Sequence, residues 1–258
     1  VTDNPQPPLH KQLFFADQSV SLTLSCASPE QLPATITHLL VASKTPYTEA
    51  ALRRVKGHIS DKTLVLRFQN GMGALDGRLP AGTAVLEAIT TSAVKGQSPQ
   101  HTIVAENTTW LGGTQQPPEW LKGLQRHWPD LHWEADIRFV QWKKLVANAV
   151  INPLTALHDV PNGAVVDDPA LQQEARALCA EADTLLTALD SRWPGHSFSA
   201  VLQVARATAG NTSSMRADRQ RGATTEIEAI NGWLLRQAQR HGLDLPTHRR
   251  LVKALTPT

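Results

Sequence analysis

The chain has 258 residues, 41% of them apolar and 19% charged, with a formal net charge of +2. That apolar content supplies a core and excludes global disorder, and so small a charge excludes an electrostatic footprint for nucleic acid. No apolar run reaches the roughly 18 residues a membrane span needs, and the opening VTDNPQPPLHKQ has no apolar signal core.

From the N-terminus, Ser21–Cys26 alternates like a strand and His38–Lys44 is an apolar run of strand length. Tyr47–Ile59 reads as a helix and Thr63–Gln69 as the next strand, closed by the turn signal Asn70-Gly71-Met72-Gly73. Ala84–Thr91 is a further strand, and the β-prone run Thr102–Asn107 is expected to pair with it. Pro117–Trp128 reads as a helix and Trp133–Ile137 as a last strand. Strands alternating with helices predict a parallel α/β sheet. From Arg138 on the pattern turns helical. Residues 139–158 form one helix, kinked by Pro153. Ala170–Leu189, Ser199–Ala209 and Thr225–His241 follow. The last has a predicted capping box (Thr225, Glu228), a stripe of Ile227, Ile230, Trp233, Leu234 and Ala238, and Gly242 past its end. Pro246 opens a terminal helix. The fold class is therefore α/β plus all-α, with a boundary near residue 137.

Two isolated cysteines, Cys26 and Cys179, suit a reducing cytoplasm better than a disulfide framework. His127 and His132 lack metal-ligand spacing, and no CxxC, HExxH or G-x-S-x-G motif occurs.

The densest signal lies in KKLVANAVINPLTALHDVPNG. Lys144, Asn148 and Asn152 recur every fourth residue, which on a helix sets them within an arc of roughly 80° along about 12 Å of axis. Between them stand Leu145, Val146, Ala147, Ala149, Val150 and Ile151, so the helix is apolar on nearly all other sides and reads as buried. Each polar residue alone has a bland explanation: a lysine snorkelling to the surface, amides satisfied by backbone. Together they point equally to a site, because unpartnered burial costs several kcal/mol and a polar ligand would relieve it. A desolvated lysine has a depressed pKa suited to proton transfer near neutrality.

Other candidates are weaker taken singly. Lys44 and Asn70 close strands, where open α/β sheets bind ligands. GMGALDG spaces its glycines G-x-G-x-x-x-G, which is no dinucleotide fingerprint, though it would let backbone approach a ligand closely. Asn211-Thr212-Ser213-Ser214 reads as a polar loop, and Glu226 as a carboxylate favoured by a helix N-terminus.

KLVANAVINPLTALHDVPNG, NTSSM, TEIEAINGWLLRQAQRHGLDLP and FQNGMG together resemble the ketopantoate reductase (2-dehydropantoate 2-reductase) family, in order from about Leu39 to Leu255. The resemblance implies a Rossmann-type NADPH domain over 1–137 and a helical substrate and catalytic domain over 138–258. It implies hydride transfer from NADPH to the C2 ketone of 2-dehydropantoate, giving pantoate. Lys144 is implied as general acid. Asn70, Asn148, Asn152, Asn162, Asn211, Thr212, Ser213 and Ser214 are implied as substrate contacts, Ser214 for the carboxylate. Lys44, Asn70, Val94 and Glu226 are implied near the cofactor. The implied partner is a small 2-oxo acid, and a homodimer is compatible with the resemblance. Two alternatives stay open: a remnant without cofactor that binds a pantoate-like acid or a partner, and a reductase of another 2-oxo acid.

The family's strand–GxGxxG–helix unit has no counterpart before Leu39. Either an N-terminal piece is missing from the sequence or the chain is truly short. The intact set of site residues favours the first. Because the missing strand would be central, Ser21–Cys26 and His38–Lys44 are expected to lack strand neighbours.

Overall fold

The computed structural model describes residues 8–128 and 130–256, so the first residues of the Pro-rich opening lie outside the described residues. The fold is α/β followed by all-α. Two compact units emerge. One comprises the chain up to Ser43, Tyr47–Gln69 and Leu75–Ile137; the other comprises Lys44–Pro46, Asn70–Ala74 and the chain from Arg138 on.

The first unit contains β1 (Leu9–Phe14), β2 (Ser19–Leu24), β3 (His38–Val41), α1 (Thr48–Val55), β4 (Leu64–Arg67), β5 (Ala84–Thr90), β6 (Ala93–Gln97), β7 (Gln100–Ala105), β8 (Thr109–Gly112), α2 (Leu121–Gln125) and β9 (Leu131–Trp133). Five strands form one sheet in the order β3-β4-β5-β8-β9. The first three are parallel, β8 runs antiparallel to β5, and β9 is parallel to β8. Alternation along the strands feeds two apolar layers. Val41 and Val65 pack with Leu52 and Val55 of α1, whereas Ala88, Leu111 and Leu131 pack with Leu121 of α2.

The remaining strands form a second sheet, β2-β1-β7-β6, which corrects two expectations. The run Thr102–Asn107 contributes to β7, which pairs with β6 and β1; β5 pairs instead with β4 and β8. Nor do the early strands lack neighbours: β2 pairs antiparallel with β1, and β3 pairs parallel with β4. The physical reason is β1 itself. Its sequence LHKQLF mixes charge and apolar residues without clean alternation, so the strand that joins β2 to β7 carries no local signal. The helix expected over Pro117–Trp128 shortens to α2, and the last strand lies at Leu131–Trp133, slightly ahead of its predicted place.

The second unit is helical: α3 (Ile137–His158), α4 (Ala164–Asp167), α5 (Pro169–Leu189), α6 (Ser197–Ala207), α7 (Ser214–Gln220), α8 (Ile227–Arg240) and α9 (Pro246–Leu255). Leu145, Val146, Ala149 and Val150 of α3 meet Leu178, Ala182 and Leu185 of α5 and Ile230 and Leu234 of α8 in one core. The predicted stripe of α8 is buried throughout, but its capping box does not form. Glu226 occupies the cap position with no side-chain cap bond, because its carboxylate is engaged by Thr45. Glu228 instead reaches Thr256 (3.1 Å) and Arg236 (3.7 Å).

Candidate active site

The site is built on α3. Its polar stripe keeps the predicted spacing: Lys144 and Asn148 are half-buried and Asn152 is buried, 8% exposed, while Leu145, Val146, Ala149 and Val150 are sealed in the core. Burial pushes the Lys144 ammonium down from its ordinary 10.5 to about 8, against the opposing pull of the Glu226 carboxylate. A lysine in that range exchanges a proton at neutral pH, which one in bulk water does not.

Pro153 sits one turn beyond Ala149 and has no N–H to give the Ala149 carbonyl. The Asn231 amide of α8 donates to that oxygen instead, at 2.8 Å. Thr155, one turn after Ile151, donates back to the Ile151 carbonyl at 2.8 Å. So α3 continues through its proline with its backbone partly served by side chains.

Two short segments from the α/β half of the sequence join this unit. In Lys44–Pro46, the Lys44 ammonium pairs with the buried Asp218 of α7, which also takes Arg221 at 2.8 Å. Thr45 gives both its backbone N–H (3.0 Å) and its hydroxyl (3.1 Å) to one Glu226 oxygen. Glu226 is therefore anchored by one residue and acts electrostatically on another, Lys144. In Asn70–Ala74, the Met72 N–H donates to the Ala229 carbonyl at 2.8 Å. Gly71 is required there. A Cβ on it would collide with Ala229 and fall 2.9 Å from the Thr45 methyl. Its close approach is thus to α8, where sequence reasoning had offered it to a ligand. Asn70, half-buried, precedes it in the same segment.

The remaining predicted residues divide. Asn162 is buried; its amide donates to Thr208 (3.0 Å), its backbone N–H to Asn211 (3.1 Å), and its side-chain oxygen is buried without a partner. Ser213 is the N-cap of α7. Its hydroxyl accepts from the Arg216 N–H at 3.1 Å and meets the Thr155 hydroxyl at 2.7 Å, which is a structural role. Asn211, Thr212 and Ser214 are exposed. Val94 belongs to the first unit, on β6, with 57% exposure. Sequence reasoning missed Asp218, Thr45, Asn231 and His248. Asp218 stands in the charged run RADRQR, which reads as a solvated face, and Thr45 follows a strand with no pattern of its own. Among the described residues no cluster of His, Cys, Asp and Glu could hold a metal ion.

Chemically, the arrangement is a lysine ammonium of lowered pKa with a carboxylate in electrostatic range and a row of amides on the same helix face. It suits a small polar substrate whose oxygen takes up a proton. Residues 12–116 match the family described as Ketopantoate reductase PanE/ApbA, and residues 136–257 its C-terminal counterpart. A 2-dehydropantoate 2-reductase of Shigella flexneri is 34% identical over 96% of this chain and 83% of its own length. The chain belongs to the ketopantoate reductase family. That makes it a member of an oxidoreductase family whose curated relatives act on a small molecule. The fold is shared with a dimeric ketopantoate reductase of Staphylococcus aureus (TM-score 0.79, 18% identity, 96% of this chain and 86% of that one). It is also shared with a D-mandelate dehydrogenase solved with NADH and anilino(oxo)acetate (TM-score 0.82, 17% identity, 95% and 83%). At those identities the likeness concerns the fold alone.

Proposed function

We propose that this chain carries out NADPH-dependent reduction of 2-dehydropantoate to pantoate, with Lys144 as the proton donor. The observation that carries the reading is the Lys144 ammonium, lowered by burial to about 8 and standing on one helix face with Asn148 and Asn152. A bound NADPH supplies the hydride that reaches C2 of the ketone. Lys144 gives its proton to the oxygen as that carbon is reduced. Asn148 and Asn152 orient the carboxylate and hydroxyl of the acid, and Asn162, Asn211, Thr212 and Ser214 extend the contact. Glu226 keeps Lys144 protonated at neutral pH by opposing the cost of its burial.

Lys44 and Asn70 are the residues proposed for part of the cofactor, because they follow β3 and β4 and α/β sheets bind dinucleotides at the C-terminal ends of their strands. Val94 is the third proposed cofactor contact. No G-x-G-x-x-G turn occurs among the described residues, so the pyrophosphate cradle is not assigned to any of them. In this reading 1–137 is the Rossmann-type cofactor domain and 138–258 the helical substrate domain. The two free thiols favour the cytoplasm, and a homodimer is proposed by analogy with the Staphylococcus protein. Gel filtration tests the dimer.

Incubating the purified chain with NADPH and 2-dehydropantoate should deplete the absorbance of the reduced nicotinamide. Absence of NADPH binding, together with stabilisation by pantoate, would favour a non-catalytic acid-binding remnant. A second catalytic reading is the reduction of another 2-oxo acid. Comparing kcat/KM for 2-dehydropantoate and phenylglyoxylate separates the two.

A further inference from the structure

Behind the polar stripe lies a buried chain of hydrogen bonds that the reaction itself does not use. The Asn231 amide nitrogen of α8 donates to the Ala149 carbonyl of α3 (2.8 Å) and lies 2.9 Å from His248 Nδ1 of α9. His248 Nε2 lies 3.1 Å from the Leu178 carbonyl of α5. A carbonyl can only accept, so Nε2 carries the ring hydrogen and Nδ1 is the acceptor. Both Asn231 hydrogens are then used, one on Ala149 and one on His248. Asn231 and His248 are each 0% exposed.

The Ala149 carbonyl is the one that the N–H of residue 153 would serve in an unbroken helix, and residue 153 is proline. Ala149 lies between Asn148 and Asn152, so whatever fixes its peptide fixes how the two amides and Lys144 line up. We propose that Asn231 and His248 are positioning residues for the Lys144 stripe: Asn231 gives Ala149 the hydrogen bond that Pro153 cannot, and His248 holds the Asn231 amide in the orientation that does so. The inference rests on the reading of Lys144 as proton donor.

Protonation of His248 would replace its Nδ1 acceptor with a donor. The Asn231 amide would then have to turn, facing its oxygen to the Ala149 carbonyl. The ring is kept neutral by burial, against the Leu178 carbonyl and the Glu181 carboxylate of α5, which favour the charged form. Glu181 itself is spent on the start of α9, accepting from the N–H groups of Thr247 (2.8 Å) and His248 (3.1 Å).

The test is the titration of Lys144, read from the pH dependence of its acetylation by acetic anhydride, with mass spectrometry of the intact folded chain. Loosening α3 lets water reach the ammonium, so Asn231→Ala should raise the midpoint by about one pH unit. His248→Leu should raise it less. His248→Asn, whose Oδ1 can take the place of the Nδ1 acceptor, should restore the wild-type value. In a Pro153→Ala background, where residue 153 regains its N–H, Asn231→Ala should shift the midpoint less than it does in the wild type. A folded Asn231→Ala chain with an unchanged midpoint would overturn the proposal. Should that variant fail to fold, equal midpoints in His248→Leu and His248→Asn would do the same. Acetylation does not depend on turnover. A wild-type chain that protects Lys144 as described but reduces nothing would refute the catalytic reading and leave the positioning intact.

Discussion

Two polar segments of the helical unit looked alike as candidates and came out differently. In α3, Lys144, Asn148 and Asn152 stand four apart on one helix face, and burial disfavours the charge of the lysine among them. In the run Asn211–Ser214, four consecutive polar residues scatter. Ser213 caps α7 and bonds Thr155, while its neighbours face outward. Helical spacing constrains direction and consecutive polarity does not, because a capped loop consumes hydroxyls wherever a helix starts.

Substitution should widen that contrast. The largest effect is expected at Lys144. Lys144→Ala should lower kcat by about 10²–10⁴ if the lysine is the proton donor, with little loss of Tm, because a poorly solvated charge is removed along with the amine. Next is Asn231→Ala. It leaves the Ala149 carbonyl without the amide that serves it and should cost about 1–3 kcal/mol in urea unfolding. Within the polar run, Ser213→Ala should cost about 1 kcal/mol of stability and leave KM for the acid nearly unchanged. Ser214→Ala should do the reverse, raising KM with no change in Tm. If both serines behave alike, the distinction between cap and contact fails.

A smaller effect concerns His248. Burial holds its pKa below the ordinary 6.5, so below that pH the unfolded chain binds a proton that the folded chain refuses. Stability should therefore decline as pH falls from 6.5 toward the lowered folded value. His248→Asn should flatten that slope in thermal melts at pH 5–7.

Much of this was legible in sequence. The switch from strands to helices, the apolar surround of α3 and the buried face of α8 all follow from periodicity. What was not legible depended on distant partners. The strand pairing of Thr102–Asn107 hinges on β1, nearly ninety residues earlier in the chain, whose composition hides it. Asp218 and Asn231 look like ordinary surface residues of polar helices until Lys44 and Pro153 give them their tasks. Thr225 and Glu228 have the spacing of a capping box, yet Glu226, held by Thr45, takes the cap position one residue after Thr225, and Glu228 falls inside the first turn.

The most direct measurement is the pH dependence of kcat/KM for 2-dehydropantoate, wild type against Glu226→Gln. A general acid must be protonated, so the rate should hold at neutral pH and fall as pH rises through about 8, the value to which burial lowers Lys144. Glu226 holds that value up, so Glu226→Gln should move the fall to lower pH. A profile flat to pH 10, or one that Glu226→Gln leaves in place, would contradict the account.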